Sequence, residues 1–360
     1  MIAIIGAGPT GIGLGYLLEQ LNVKDYMIYE RETVGESFYT WPKETKLITP
    51  SFNGHGFGLL DLNAIMPDSS PAFTLKQEHI NGERYGEYLQ LIQSQFEINV
   101  TEGCEIEAIE PQDKGFLLKS NQGDIEADHV ILACGEFNTP KRLFDYGIHY
   151  ADVETWKDIE GERIIIGSGE SAMDALINLN KQGERVLLIH PEKSLVLNHH
   201  DPSQTISPYT KERLLSVNPE LIRVINNKRV TNISFDGTMY DVTLDDGEVF
   251  STTNEPITCT GFHTVPPVFQ QLFEMENGLA KLTELDASTK FPGLYLCGPG
   301  VRQSDVIFCF IYKFRQRFLV VIEDILKSMG IEVDEEVKSD YIRQNMYLTD
   351  LSCCNTECQC

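Results

Sequence analysis

The chain has 360 residues, 42% of them hydrophobic, which suits two packed domains rather than one or three. Its 29 basic and 54 acidic side chains leave a formal charge of −25, a balance that repels nucleic acid and anionic lipid and sets both aside as partners. Nine cysteines, five of them scattered singly, fit a reducing compartment better than a disulfide framework, so a cytoplasmic location is expected.

The apolar opening, residues 1–18, lacks a basic leader and carries five glycines and a proline. It predicts a strand, turn and helix rather than a signal peptide or anchor, and no other run reaches spanning length. Residues 2–5 read as a strand, 10–22 as a helix, and 26–29 as a second strand ending at Glu30. Short alternating strands and turns follow over residues 100–135. A second copy of the first unit starts at Arg163, with a strand, a small-residue turn at 167–172, a helix to about Lys181, and a strand ending at His190. Residues 228–262 repeat the short-strand pattern. After the Pro-rich turn at 265–267 come a strand at 293–297, a long apolar helix over 305–329, an acidic stretch at 332–336 expected to be a linker, and a helical pattern at 341–351. The last eight residues hold four of the nine cysteines.

Gly6-Ala7-Gly8-Pro9-Thr10-Gly11 follows a strand and opens a helix, and Glu30 lies 24 positions after Gly6 at the next strand end. This is a dinucleotide-binding fingerprint. Gly6 permits the tight turn, Gly8 the approach of a pyrophosphate, Gly11 close helix–strand packing, and Glu30 a bond to a ribose hydroxyl. The second fingerprint is Gly167-Ser168-Gly169-Glu170-Ser171-Ala172, with alanine at the third glycine place. Its selector strand ends His190-Pro191-Glu192-Lys193, where His190 or Lys193 would serve NADPH and Glu192 would suit NADH.

Two fingerprints at this separation, with the links 130–140 and 256–262, resemble flavoproteins that have two dinucleotide-binding domains. Flavin-containing monooxygenase-like enzymes look nearest, and thioredoxin reductase-like oxidoreductases next. The resemblance implies an α/β fold of two Rossmann-like domains, each of three layers (ββα), with the NAD(P)-binding domain inserted into the FAD-binding domain. Its expected parts are residues 1–150 (FAD, first part), 151–262 (NAD(P)), 263–335 (FAD, return) and 336–360 (cysteine-rich tail). It implies FAD on the first fingerprint, with Arg31 beside Glu30, and NADPH or NADH on the second.

Further site residues come from the same likeness. Cys134-Gly135 and Thr260-Gly261 take the hinge places. Residues 34–42, with Ser37 and Trp41, look like a degenerate flavin-cradling segment, and residues 47–51, with Thr49, resemble the stretch that passes the isoalloxazine ring. His149 sits where the monooxygenases keep a histidine, and Gly298 lies in the second FAD motif. Pro299 stands there in place of the usual acid, so Asp305, or a backbone amide at the following helix start, would have to substitute.

No close cysteine pair lies in either fingerprint region, so a reductase of thiols, disulfides or soft metals would use the tail. Cys353, Cys354, Cys358 and Cys360 are its candidate redox thiols, with Cys309 as an inner relay. The alternatives are a monooxygenase acting on a small molecule through a flavin hydroperoxide, with Asn53 and His55 beside the ring, and a non-catalytic flavin redox sensor. For the tail thiols the alternatives are a zinc or soft-metal site, an intramolecular disulfide or no role; no metal is expected elsewhere, since His199-His200-Asp201 reads as a turn, and residues 313–317 as a helix face whose cations reach solvent. The expected partners are a small-molecule or thiol substrate and a second copy of the chain in a homodimer.

Overall fold

A computed structural model describes residues 1–52, 59–67, 69–195, 199, 201–303 and 305–351. The chain divides into two compact units. One comprises residues 1–39, 49–139 and 263–360, and the other residues 40–48 and 140–262.

The first unit is built on a five-stranded parallel sheet in the order Leu294–Leu296, His129–Leu132, Ile2–Ile5, Tyr26–Tyr29, Val100–Thr101. Ile2, Ala3 and Ile4 are wholly buried, as a central parallel strand covered on both faces requires. The first fingerprint helix, Pro9–Gln20, and the return helix, Phe318–Ser328, pack together. A three-stranded antiparallel sheet, Ile106–Pro111, Phe116–Ser120 and Gly123–Ala127, is inserted before the fourth strand in sequence.

The second unit repeats the plan. Its parallel sheet runs Ile222–Ile225, Val186–Ile189, Arg163–Ile166, Ile257–Thr258, Ile148–His149. Its antiparallel sheet, Val230–Phe235, Tyr240–Leu244 and Val249–Thr252, packs Val230, Ile233, Val242 and Leu244 against Ile164, Ile166, Leu187 and Ile189. The expected ββα layering and the two Rossmann-like units are therefore present. The edge strand differs between the copies: the first unit takes it from the return segment, the second from residues preceding its fingerprint.

That edge strand moves the expected boundary at 150/151 back to 139/140, because Ile148–His149 pairs with Ile257–Thr258. The 40–48 segment also belongs to the second unit, fastened by Glu44 accepting from Thr155 Oγ1 at 2.7 Å and from Trp156 N at 3.0 Å. The expected linker at 332–336 instead starts a helix, Glu335–Arg343: Asp334 caps it by accepting from the Glu336 and Val337 amides, and Tyr341 is buried.

The apolar run 305–329 is not one helix. Arg302–Gln303 pairs antiparallel with Val306–Ile307, a short helix spans Ile311–Phe314, a 3₁₀ turn covers Arg315–Arg317, and only then does Phe318–Ser328 begin. The two arginines read as solvent-facing are 4% and 0% exposed. Arg315 Nη1 donates to the carbonyls of Asp61 at 2.5 Å and Ala64 at 2.7 Å. Arg317 Nε reaches Asp286 Oδ2 at 2.7 Å and Nη1 the Leu348 carbonyl at 2.6 Å, while Gln303 Nε2 reaches Asp286 Oδ1 at 2.6 Å. Burying two guanidinium groups fixes the local path, since each must meet acceptors that only this break provides. Burial raises the Asp286 pKa despite Arg317, so the pair locks geometry more than it adds net stability.

Removing one partner strands the other charge in the core. Arg317→Ala is expected to lower unfolding free energy by roughly 3–5 kcal/mol in a denaturant titration of the purified protein. Replacing both members with apolar residues (Arg317→Met with Asp286→Leu) is expected to recover most of that loss.

Candidate active site: two nucleotide cradles

In the first unit the strand Ile2–Ile5 runs into Gly6 (φ +106°), and the helix starts at Pro9 behind an N-cap, Gly8, that makes no side-chain bond. The proline costs nothing there, because its missing N–H would have been unsatisfied. A β-carbon on Gly6 would lie 2.7 Å from the Ala133 carbonyl oxygen, and one on Gly11 only 2.0 Å from the Gly6 oxygen. A β-carbon on Gly8 would meet nothing within 4 Å. The first and third glycines thus close the turn, while the second leaves open space in front of uncapped helix N–H groups, a ready anion site.

Glu30 sits beside this turn with Oε2 accepting from Ala7 N at 2.7 Å and Oε1 from Glu32 N at 3.1 Å. Burial raises its pKa, while the two amides and Arg31 pull it down. Arg31 itself is 49% exposed and lies 3.9 Å from Glu32 and 3.8 Å from Glu105. Gly298 closes over the helix start, where a β-carbon would come 2.7 Å from Thr10 Oγ1. Gly135 has a positive φ of 67° and open space beside it. Thr49 is 9% exposed, and its carbonyl accepts from Asn63 Nδ2 at 2.9 Å. Ser37 lies in the short helix Glu36–Tyr39 of this unit, whereas Trp41 belongs to the second unit. Asp305 is exposed in the turn of the 302–307 hairpin and not at a helix start, so it is no substitute for the missing acid. Sequence reasoning missed Arg302, which donates to the Pro299 and Val301 carbonyls at 2.5 and 2.9 Å and lies 3.5 Å from Glu136, stapling the return loop to the stretch after Gly135.

The second cradle has the same construction. A β-carbon on Gly167 (φ +137°) would meet the Cys259 oxygen at 2.6 Å, while Gly169, again an N-cap without a side-chain bond, has nothing within 4 Å. Ala172 is wholly buried in the helix Glu170–Lys181, and Ser171 beside it is half-buried. Glu170 is occupied: it accepts from the Ser207 amide and from Thr210 Oγ1, the latter at 2.6 Å, and so anchors the helix Pro208–Leu214. His190 is only 2% exposed, which removes it as a direct contact for a nucleotide phosphate. Ser168 Oγ donates to Glu192 Oε2 at 2.7 Å.

His149 braces the hinge. Its Nδ1 accepts from Ala151 N at 3.2 Å, leaving Nε2 to donate to the Gly261 carbonyl at 3.2 Å, and burial lowers its pKa toward this neutral form. Asp174, also unforeseen, accepts from Thr45 Oγ1 at 2.9 Å and Tyr150 OH at 2.8 Å and pairs with Arg213 at 2.7 Å. An acid on the inner face of a fingerprint helix is its only sequence signal.

Five cysteines are described: Cys104, Cys134, Cys259, Cys297 and Cys309. Burial pushes the Cys134 thiol up to about 12 and the Cys259 and Cys297 thiols up as well. Cys309 is half-buried. Cys353, Cys354, Cys358 and Cys360 lie outside the described residues, as do Asn53, His55 and His200. Among the described residues no His, Cys, Asp or Glu cluster could hold a metal ion, and no helix is long and apolar enough to cross a membrane.

This double cradle agrees with comparison to known proteins. The model of the pyridine nucleotide-disulphide oxidoreductase family matches residues 3–298, and the chain belongs to that family. An uncharacterized oxidoreductase, CzcO, of Bacillus subtilis is 26% identical over 210 residues, covering 54% of this chain and 55% of that protein. The chain spans about half the length of the first curated relatives it matches. Among solved structures, the bacillithiol disulfide reductase of Staphylococcus aureus superposes with a TM-score of 0.68 at 19% identity, over 91% of this chain and 98% of that one. The ornithine N-hydroxylase of Kutzneria superposes with a TM-score of 0.71 at 14% identity, over 91% and 99%. Both share the fold.

The two kinds of glycine separate experimentally. Gly8→Ala is expected to leave the melting temperature of flavin-free protein unchanged while cutting flavin occupancy roughly tenfold, read as the flavin-to-protein absorbance ratio. Gly11→Ala is expected to prevent recovery of folded protein, because its β-carbon has no room.

Proposed function

We propose that the chain is an FAD-dependent NAD(P)H oxidoreductase that reduces a disulfide, thiol-bound or soft-metal acceptor. The observation that carries this reading is the pair of uncapped helix starts at Gly8 and Gly169, each open in front and each with a carboxylate bonded to its turn, Glu30 directly after the second strand or Glu192 three residues beyond it. When bound, the two groups supply hydride transfer from dihydronicotinamide to flavin. The chain's own task is binding and orientation. Helix N–H groups take the pyrophosphates, Glu30 takes the ribose hydroxyls of FAD, and Gly298 lets the return loop close over Thr10. Pro299 offers no acid or amide, so backbone groups flanking it meet the remainder of FAD.

For a disulfide acceptor the balance is NAD(P)H plus a proton plus RSSR giving NAD(P)⁺ plus two RSH. The family's name supports that acceptor class. Thiols with pKa values raised by burial stay protonated near neutral pH and make poor nucleophiles, so Cys134, Cys259 and Cys297 are structural in this reading. The exchange is assigned to Cys353, Cys354, Cys358 and Cys360, with Cys309 as relay. The same three protonated thiols favour a second reading, oxygenation of a small molecule, which needs a water-excluding pocket and no thiolate.

Ending the chain after Leu351 separates the two. Loss of turnover with a disulfide acceptor by at least about tenfold, with flavin reduction by nicotinamide retained, is the expected result. Undiminished disulfide turnover, or NAD(P)H turnover that consumes dioxygen in a one-to-one ratio with oxygenation of a small molecule, would contradict the role of the tail.

A further inference from the structure

We infer that Glu192 is the residue that selects the nicotinamide nucleotide, and that it selects NADH over NADPH. This rests on the reading of the second unit as the nicotinamide cradle and deepens it.

In a dinucleotide-binding βαβ unit the ribose of the adenosine half lies against the end of the second strand, where a carboxylate accepts from the 2′-hydroxyl and a cation is needed for a 2′-phosphate. The second strand here is Val186–Ile189, and the three residues after it are His190, Pro191 and Glu192. Neither of the first two can meet the ribose. His190 is 2% exposed, with its amide donating to the Ile225 carbonyl and its own carbonyl accepting from Lys228 N, so the backbone holds the ring inside. Proline carries no polar side chain.

Glu192 is the first group that can meet it, and three contacts hold it in place. Its main-chain carbonyl accepts from Asn227 N at 2.8 Å. Its Oε2 accepts from Ser168 Oγ at 2.7 Å, the hydroxyl that stands between the first two glycines of the fingerprint. The same oxygen lies 3.4 Å from His190 Nδ1, a buried nitrogen with no hydrogen-bond partner among the described residues. The carboxylate is thus tied to the fingerprint turn itself, with 43% of its side chain exposed to receive a ligand.

A 2′-phosphate placed at that carboxylate would set two like charges in contact. The cations on the paired strand Ile222–Ile225, in the loop after it and beside Glu192 in the chain do not offset this. Lys228 is paired with Asp246, and the Arg223 guanidinium lies 5.3 Å from the Phe250 ring centre. Lys193 is exposed, and among the described residues its carbonyl accepts from Asn226 Nδ2 at 2.7 Å. An anionic selector anchored at the turn outweighs one solvated lysine beside it.

The test is equilibrium binding of NAD⁺ and NADP⁺ to the purified flavoprotein by calorimetry, which needs no acceptor and no turnover. Wild type is expected to bind NAD⁺ at least about tenfold more tightly than NADP⁺. Glu192→Gln is expected to weaken NAD⁺ and tighten NADP⁺ so that the preference shrinks by roughly tenfold, and Ser168→Ala to shrink it less. NADP⁺ binding as tightly as NAD⁺ in wild type, or a preference unmoved by Glu192→Gln, would overturn the selector while leaving the oxidoreductase reading intact. A protein that holds flavin but binds neither nucleotide would overturn both. Unchanged flavin absorbance and melting temperature in the two variants distinguish a lost contact from a lost fold.

Discussion

Both cradles depend on one backbone constraint, a turn between strand and helix so tight that no β-carbon fits at its first glycine. In the first unit the Gly11 α-carbon is pressed against the Gly6 carbonyl, and Gly6 against Ala133. In the second, Gly167 is pressed against Cys259. That contact brings the link after His129–Leu132 or after Ile257–Thr258 against the turn, which is why Cys134 and Cys259, both half-buried, occupy equivalent places. With the turn closed, the helix dipole and its first amides point into the space left by Gly8 or Gly169, and Glu30 and Glu192 are bonded to the turns through Ala7 N and Ser168 Oγ. Each cradle is therefore a consequence of packing as much as of composition.

Connectivity adds a second constraint. The chain passes between the units at 39/40, 48/49, 139/140 and 262/263. The first of these excursions is held by side chains, since Glu44 caps the turn at Thr155–Trp156 and Thr45 joins the Tyr150–Asp174–Arg213 network. The later pair is braced by His149 on Gly261 and, on the other side, by Thr139 Oγ1 donating to the His263 carbonyl at 3.1 Å. A segment that looked like part of the flavin cradle in sequence thus does structural work in the other unit, and Trp41 goes with it.

What could be read from the sequence was what local rules decide. The fingerprints, the strand–helix–strand repeats and the short-strand inserts follow from glycine spacing and from runs of alternating or continuous apolar residues, all within a few positions of one another. What could not be read depends on partners far along the chain. Arg315 has its acceptors 254 and 251 residues away, so nothing near it distinguishes a buried cation from one reaching solvent. Glu170 looked like a cofactor residue because it sits in the fingerprint, but a helix 37 residues later claims its carboxylate. His190 looked available because it ends a strand, yet the neighbouring strand and the loop after it enclose it. The break in the 305–329 run came from the burial needs of Arg315 and Arg317, which hydrophobic periodicity does not register. The cysteine tail stands on sequence alone.

On the proposed function, a flavin held by the first unit receives electrons from a nicotinamide held by the second. Anaerobic titration of the purified flavoprotein with NADH, followed by flavin absorbance, tests it most directly. Stoichiometric bleaching with one equivalent of NADH is the predicted result. A protein that takes up no FAD, or a bound flavin that stays oxidised with excess NADH and excess NADPH, would contradict it.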